Sequence, residues 1–195
     1  MDVVKFMDDL TGHNVLAWKA ALGTFIVLLA GLQVALAGRF WNNRGLPVDS
    51  ALATVLHRWN GRLLLVLSLV IGYACLMGPA GPTSPFRLLF HSILGATLFA
   101  LIFAKLLTLR VINSSGNRLP IIGIALFVNY VLIWFVTVAD YVTDASIDPP
   151  PGAPLKGWAA VTGAGAAILG GIGIAAFVRR SATGTPAKKR AKTAA

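Results

Sequence analysis

Apolar residues fall into five runs along the chain, 16–38, 52–77, 86–109, 119–140 and 156–178, separated by short segments rich in Pro, Gly, Asn and Arg. Crossing a hydrocarbon core of about 30 Å takes ~20 helical residues, and each run reaches that length. The pattern predicts an all-α fold: a polytopic transmembrane bundle of five spanning helices over 16–178, preceded by a short extracytoplasmic segment, 1–15, and followed by a basic tail, 179–195. The punctuation agrees. Gly78, Pro79, Gly81 and Pro82 cannot continue a helix, and Pro85 suits the first turn of the third one. Asn113-Ser114-Ser115-Gly116-Asn117 reads as a polar loop, and Asp148-Pro149-Pro150-Pro151-Gly152 as a short, stiff linker. The tail pairs small and basic residues with no apolar period, which predicts disorder when free.

Ala35-Leu36-Ala37 before Gly38 has the look of a signal-peptide cleavage site. The preceding segment, however, carries Asp2, Asp8 and Asp9 against Lys5, and the apolar stretch after Lys19 outruns the ~7–15 residues of a signal core. A retained first helix is expected.

Charge sets the orientation. Arg39 and Arg44 follow the first run, Lys105, Arg110 and Arg118 bracket the third link, and Arg179-Arg180 open the tail. The alternate side offers Arg87 and Lys156, with Asp144 and Asp148 nearby. Lys and Arg concentrate on cytoplasmic loops, so the N terminus is expected outside and the C terminus in the cytoplasm of a multi-pass cell-membrane protein.

A hydrophobic content of 56% with only 12% charged residues excludes an ordinary soluble domain. The net charge of +10 does not signal nucleic acid, because the basic residues sit between apolar runs or in Lys188-Lys189-Arg190-Ala191-Lys192. Anionic lipid at the cytoplasmic face is the expected partner, met by Arg39, Arg44, Arg58, Arg62, Lys188, Lys189 and Arg190. The single cysteine, Cys75, rules out an internal disulfide.

The fifth run repeats small residues every four positions at Ala159, Gly163, Ala167, Gly171 and Ala175, a ridge that admits close helix packing. The ridge suits packing within the bundle, against a membrane subunit or in a homo-oligomer. The nearby Gly170-Gly171-Ile172-Gly173 follows no strand and is not a nucleotide loop.

Two motifs place a His four residues before a Gly, on one helical face: His57 with Gly61, and His91 with Gly95. His57 and Arg58 precede the uninterrupted apolar stretch at Leu63 and belong at the cytoplasmic interface, with Asp49 or Ser50 as the helix cap. His91 stands six residues beyond Pro85, about 9 Å down its helix, where an imidazole is expected to face the bundle interior. The two lie about 20 Å apart along the membrane normal, too far to share one iron. Asn129 and Tyr130 suit interhelical hydrogen bonds, and Lys105 suits snorkelling. No carboxylate pair, Ser/His/Asp set or metal-ligand spacing occurs, so no catalytic residue is assigned.

The His57-Arg58-Trp59-Asn60-Gly61-Arg62 start, Tyr73-Ala74-Cys75-Leu76, His91-Ser92-Ile93-Leu94-Gly95 running to Lys105, and Leu119-Pro120 resemble a family of actinobacterial multi-pass membrane proteins of uncharacterised function. That family is loosely similar to b-type transmembrane cytochromes of the ferric-reductase and ascorbate-reducible kinds. The resemblance covers roughly residues 52–125 and implies haem b, with His91 and His57 as candidate ligands and Gly61 and Gly95 clearing room for a porphyrin face. It also implies a His where this chain has Ala74. Two function classes follow: a membrane electron-transfer cytochrome or its degenerate relative, and a non-catalytic membrane subunit packing through its fifth helix. A small transporter is a weaker third, since no repeat or broken helix is visible.

Overall fold

The computed structural model describes residues 3–10, 13, 15–42, 46–77, 85–112, 118–139 and, within the last apolar run, 165, 168–170, 172, 174 and 175. Every regular element among them is helical. A short helix, α1 (Val3–Leu10), precedes α2 (Val15–Asn42) and α3 (Ser50–Met77). Then come α4 (Pro85–Leu107), which runs on into a π-helical turn at Thr108–Ile112, and α5 (Arg118–Trp134), which does the same at Phe135–Ala139. Among the described residues, four helices are long and apolar enough to cross a membrane: Val15–Arg39, Ser50–Met77, Pro85–Arg110 and Leu119–Val138. Most of the expected fifth span lies outside the described residues, as does the tail; the described residues of that run are helical.

Helix α2 is the packing centre. It packs along both α3 and α5, and α5 packs in turn against α4. The core joins Ile26, Val27, Ala30 and Val34 of α2 to Leu64 of α3, Leu98 of α4, and Leu126, Phe127 and Tyr130 of α5. Composition explains this centrality. Ala17, Ala20, Ala30 and Ala35 are all buried on α2, and small residues let neighbouring backbones come close where lipid removes the hydrophobic drive for helices to associate. At Gly23, an added Cβ would lie 3.5 Å from Val138 and 3.7 Å from Ile71, so the glycine sits where α3 and α5 both converge on α2.

Helices α3 and α4 are not among the closely packed pairs, although Phe99 reaches across to Gly72, where a Cβ would lie 2.6 Å from its ring. The last run meets the bundle through glycine as well. Gly165 faces Leu28, and Gly170 is buried beneath the ring of Phe127, which occupies the space a side chain would need. Of the predicted small-residue ridge, only Ala175 is described and it is exposed; Ala159, Gly163, Ala167 and Gly171 lie outside the described residues.

The outward faces of α3, α4 and α5 carry large apolar side chains in the open, including Phe103 and Phe135 at 67% exposure each. In water such a surface would aggregate; in a bilayer it is the lipid contact.

The α2–α3 link is short and tied down. Val48 N–H donates to Leu46 O at 2.8 Å across Pro47, a γ-turn whose central φ the proline ring presets. The Arg39 guanidinium donates from Nε to Val48 O at 2.6 Å. Asp49 caps α3, its carboxylate accepting from the N–H groups of Ala51 at 2.8 Å and Leu52 at 3.3 Å. Those backbone donors hold the Asp49 carboxyl below the usual range.

Candidate functional site

The interior holds polar groups at three levels, each binding α2 or α3 to a neighbour. At the end bearing Arg39, Arg58, Arg62 and Arg110, here the basic end, Gln33 of α2 meets His57 and Asn60 of α3. Asn60 Nδ2 donates to Gln33 Oε1 at 2.7 Å and to Leu29 O at 2.8 Å. His57 lies with Nδ1 3.1 Å from the Gln33 carbonyl and Nε2 3.0 Å from the Gln33 amide nitrogen. The consistent assignment is a neutral imidazole, donating from Nδ1 to the carbonyl and accepting at Nε2 from the Gln33 amide. At mid-depth, Ser68 Oγ and Tyr130 Oη share a hydrogen bond of 2.6 Å. Toward the other end, Trp134 Nε1 donates to Thr24 Oγ1 at 3.0 Å. Without water to satisfy them, such groups bond across helices, which fixes the register of each pair.

Beside the Gln33 network lies a cavity of about 510 Å³, walled by the basic-end halves of α2, α3, α4 and α5. Its sides are apolar, with Leu64, Leu65, Ile102, Leu126 and Phe127 among them, while His57, Arg58, Arg62 and Lys105 bring polarity to the same space. The volume falls in the usual range of small-molecule sites, about 300–1,000 Å³. Lys105 is half-buried, and among the described residues no hydrogen bond or ion pair holds its ammonium group. Arg58 and Arg62 are exposed, and the Arg62 guanidinium lies 5.0 Å over the Trp59 ring, an arrangement suited to an interfacial anchor. Gly123 also lines the cavity; nothing lies within 4 Å of where its Cβ would be.

The structure brings His57, Gly61, Arg58, Arg62 and Lys105 together around one cavity and leaves His91 and Gly95 elsewhere. His91 stands 14 residues from Lys105 on α4, about 21 Å along the helix. It is half-buried, and its Nδ1 is buried with no hydrogen-bond partner among the described residues. Gly95 has open space on its Cβ side. Gly61 has not: Gln33 Nε2 sits 3.1 Å from its Cβ position, so the room the glycine makes is taken by the amide. Asn129 bonds across helices as expected, donating to Leu94 O at 3.1 Å. Arg39 is held by the loop, whereas Arg44, Lys188, Lys189 and Arg190 lie outside the described residues. Among the described residues, no group of three or more His, Cys, Asp or Glu side chains is placed to hold a metal ion.

Sequence reasoning passed over Gln33, the hub of the polar network. Its only signal was a lone amide in an otherwise apolar run.

Fold and site together define an integral membrane protein, a helical bundle with a basic-ended internal cavity. Residues 5–148 match the model of a family of unknown function, DUF6529, and the chain belongs to that family. No curated protein and no solved structure matches it.

Proposed function

We propose that the protein is a non-catalytic membrane component that holds an amphiphilic ligand inside its bundle, at the end facing the cytoplasm. One observation carries this reading: a cavity of about 510 Å³ whose walls are apolar and whose polar groups include three cations. Such a site suits a molecule with a hydrocarbon body and a polar head. Among the described residues no nucleophile–base pair lines it, and binding is the activity the lining supports. The test is Gly123→Phe, which projects a ring into the cavity from a position where no neighbour lies within 4 Å. Mass spectrometry of the protein purified in mild detergent should find an amphiphile on the wild type, reduced at least about tenfold in the variant at unchanged thermal stability. Equal occupancy in both, or none in the wild type, would defeat the reading.

A second reading, haem b as in a membrane electron-transfer cytochrome, is favoured by His91, whose buried Nδ1 has no partner among the described residues and whose helix is open at Gly95. His57 fits that role poorly, since Gln33 engages both of its ring nitrogens. A Soret band on the purified protein, abolished by His91→Ala and kept in His57→Ala, would establish it.

A further inference from the structure

Building on the amphiphile reading, we propose that the cavity receives the phosphate headgroup of an anionic phospholipid, with Lys105 as its buried counter-charge and Arg58 and Arg62 at the mouth. The chain has no glutamate, its seven acidic residues are Asp2, Asp8, Asp9, Asp49, Asp140, Asp144 and Asp148, and none of those described lines the cavity. Three cations therefore share a space in which no carboxylate among the described residues answers them. An ammonium at membrane depth either reaches water or pairs. Among the described residues nothing bonds Lys105, which is half-buried and lines the cavity. His57 supplies no anion, because an imidazole is neutral or cationic, and Gln33 already engages both of its ring nitrogens. The missing negative charge belongs to whatever fills the cavity.

The rest of the lining selects a lipid over a soluble anion. Leu64, Leu65, Ile102, Leu106, Leu126 and Phe127 give the site an apolar wall that a free phosphate would leave empty and an acyl chain covers. Access is lateral. Helices α3 and α4 both line the cavity without packing closely on each other, so a lipid enters between them from the surrounding leaflet without unfolding either. Arg58 and Arg62, one turn apart on α3 and both exposed, stand where that lipid's phosphate would pass.

The experiment uses the full chain reconstituted in equal amounts of phosphatidylglycerol and phosphatidylcholine, then read by native mass spectrometry and thermal unfolding. Wild type should retain phosphatidylglycerol preferentially. Lys105→Met should lower that retention by about fivefold, the effect of one cation near an anionic headgroup, and Lys105→Arg should restore it. Arg110→Met, at the same end but off the cavity lining, should change nothing. If Arg110→Met lowers retention as much as Lys105→Met, the attraction is to the basic surface at large and the proposal falls. Equal retention of phosphatidylcholine removes the headgroup assignment while leaving an amphiphile site standing. Retention of neither lipid defeats the amphiphile reading too. Thermal protection by inorganic phosphate equal to that by phosphatidylglycerol assigns the cations to a free anion and overturns the lipid. Should Lys105→Met fail to fold, Lys105→Gln and the Arg110→Met comparison carry the same decision.

Discussion

Gln33 has more structural consequence than either histidine that stands out in the sequence. It accepts from Asn60, faces both nitrogens of His57 and fills the space Gly61 leaves open. Gln33→Leu therefore removes the amide donor to His57 Nε2 and one acceptor of Asn60, whereas His57→Ala removes the partner of the Gln33 amide and the donor to its carbonyl. Each buried polar group left without its partner costs roughly 1–3 kcal/mol. In detergent melts Gln33→Leu should be the less stable variant by a margin of that order, and the reverse ranking would show that His57 has some other demand on it. Gly170 makes a second residue-level case. Phe127 occupies its side-chain space, so Gly170→Ala must displace a buried ring, at about 1–3 kcal/mol. Ile172→Ala, at an exposed position two residues on, should stay within about 0.5 kcal/mol. Similar melting of the two variants would mean that the last helix leaves the bundle in detergent. His13 offers a pH test at the opposite end of the molecule. Its backbone is left-handed, with φ 63°, its N–H closes onto Asp8 O at 2.8 Å, and its Nδ1 lies 2.7 Å from the Asp8 carboxylate. The hydrogen bond to that carboxylate, with its charge, raises the imidazole above the ordinary histidine value of about 6.5. The pairing is complete below that ordinary value and is lost as pH rises through the raised one. An NMR titration of His13 should move down in Asp8→Asn; an unmoved midpoint would assign the shift to another group.

The long apolar helices were legible because hydropathy and length act over ~20 residues at once. The runs 52–77, 86–109 and 119–140 appear as α3, as α4 with its π-turn, and as α5 with its π-turn, with ends displaced by at most three residues. Pro85 opens α4 and Asp49 caps α3, both as their chemistry dictates. Two features escaped for physical reasons. Helix α1 is eight residues long, below the length at which periodicity stands out, and its two aspartates disguise it as a polar leader. The π-turns depend on how the last turn of a helix settles against neighbours, where Thr108 and Thr137 return hydrogen bonds to Ala104 O and Ile133 O. The cavity was only half legible. Its cations stood out along α3 and α4, but their convergence depends on how four helices are arranged, and the small residues of α2 that set this arrangement read only as generic apolar content.

At the scale of the whole molecule, cations are in excess at one end. Arg39, Arg58, Arg62, Lys105 and Arg110 mark that end against Asp49, whereas Lys5, Lys19 and Arg87 are nearly balanced by Asp8 and Asp9 at the other. The expected orientation, with the basic end cytoplasmic, is checked by cysteine labelling in a Cys75→Ala background. A membrane-impermeant maleimide should reach Asp9→Cys in intact cells and Pro47→Cys only after permeabilisation; the opposite pattern would invert the topology. The central position of α2 bears finally on biogenesis. Synthesised ahead of α3 and α5, it meets the bilayer before either can cover Gln33 and Thr24, both buried in the finished fold. Its long apolar stretch suits insertion, yet its amide then faces hydrocarbon until Asn60 has been translated, 27 residues later. The tight γ-turn and the Arg39 clamp deliver α3 to that face without a search, so the nascent chain is expected to settle as a two-helix hairpin, onto which α5 and then the last glycine-rich run close.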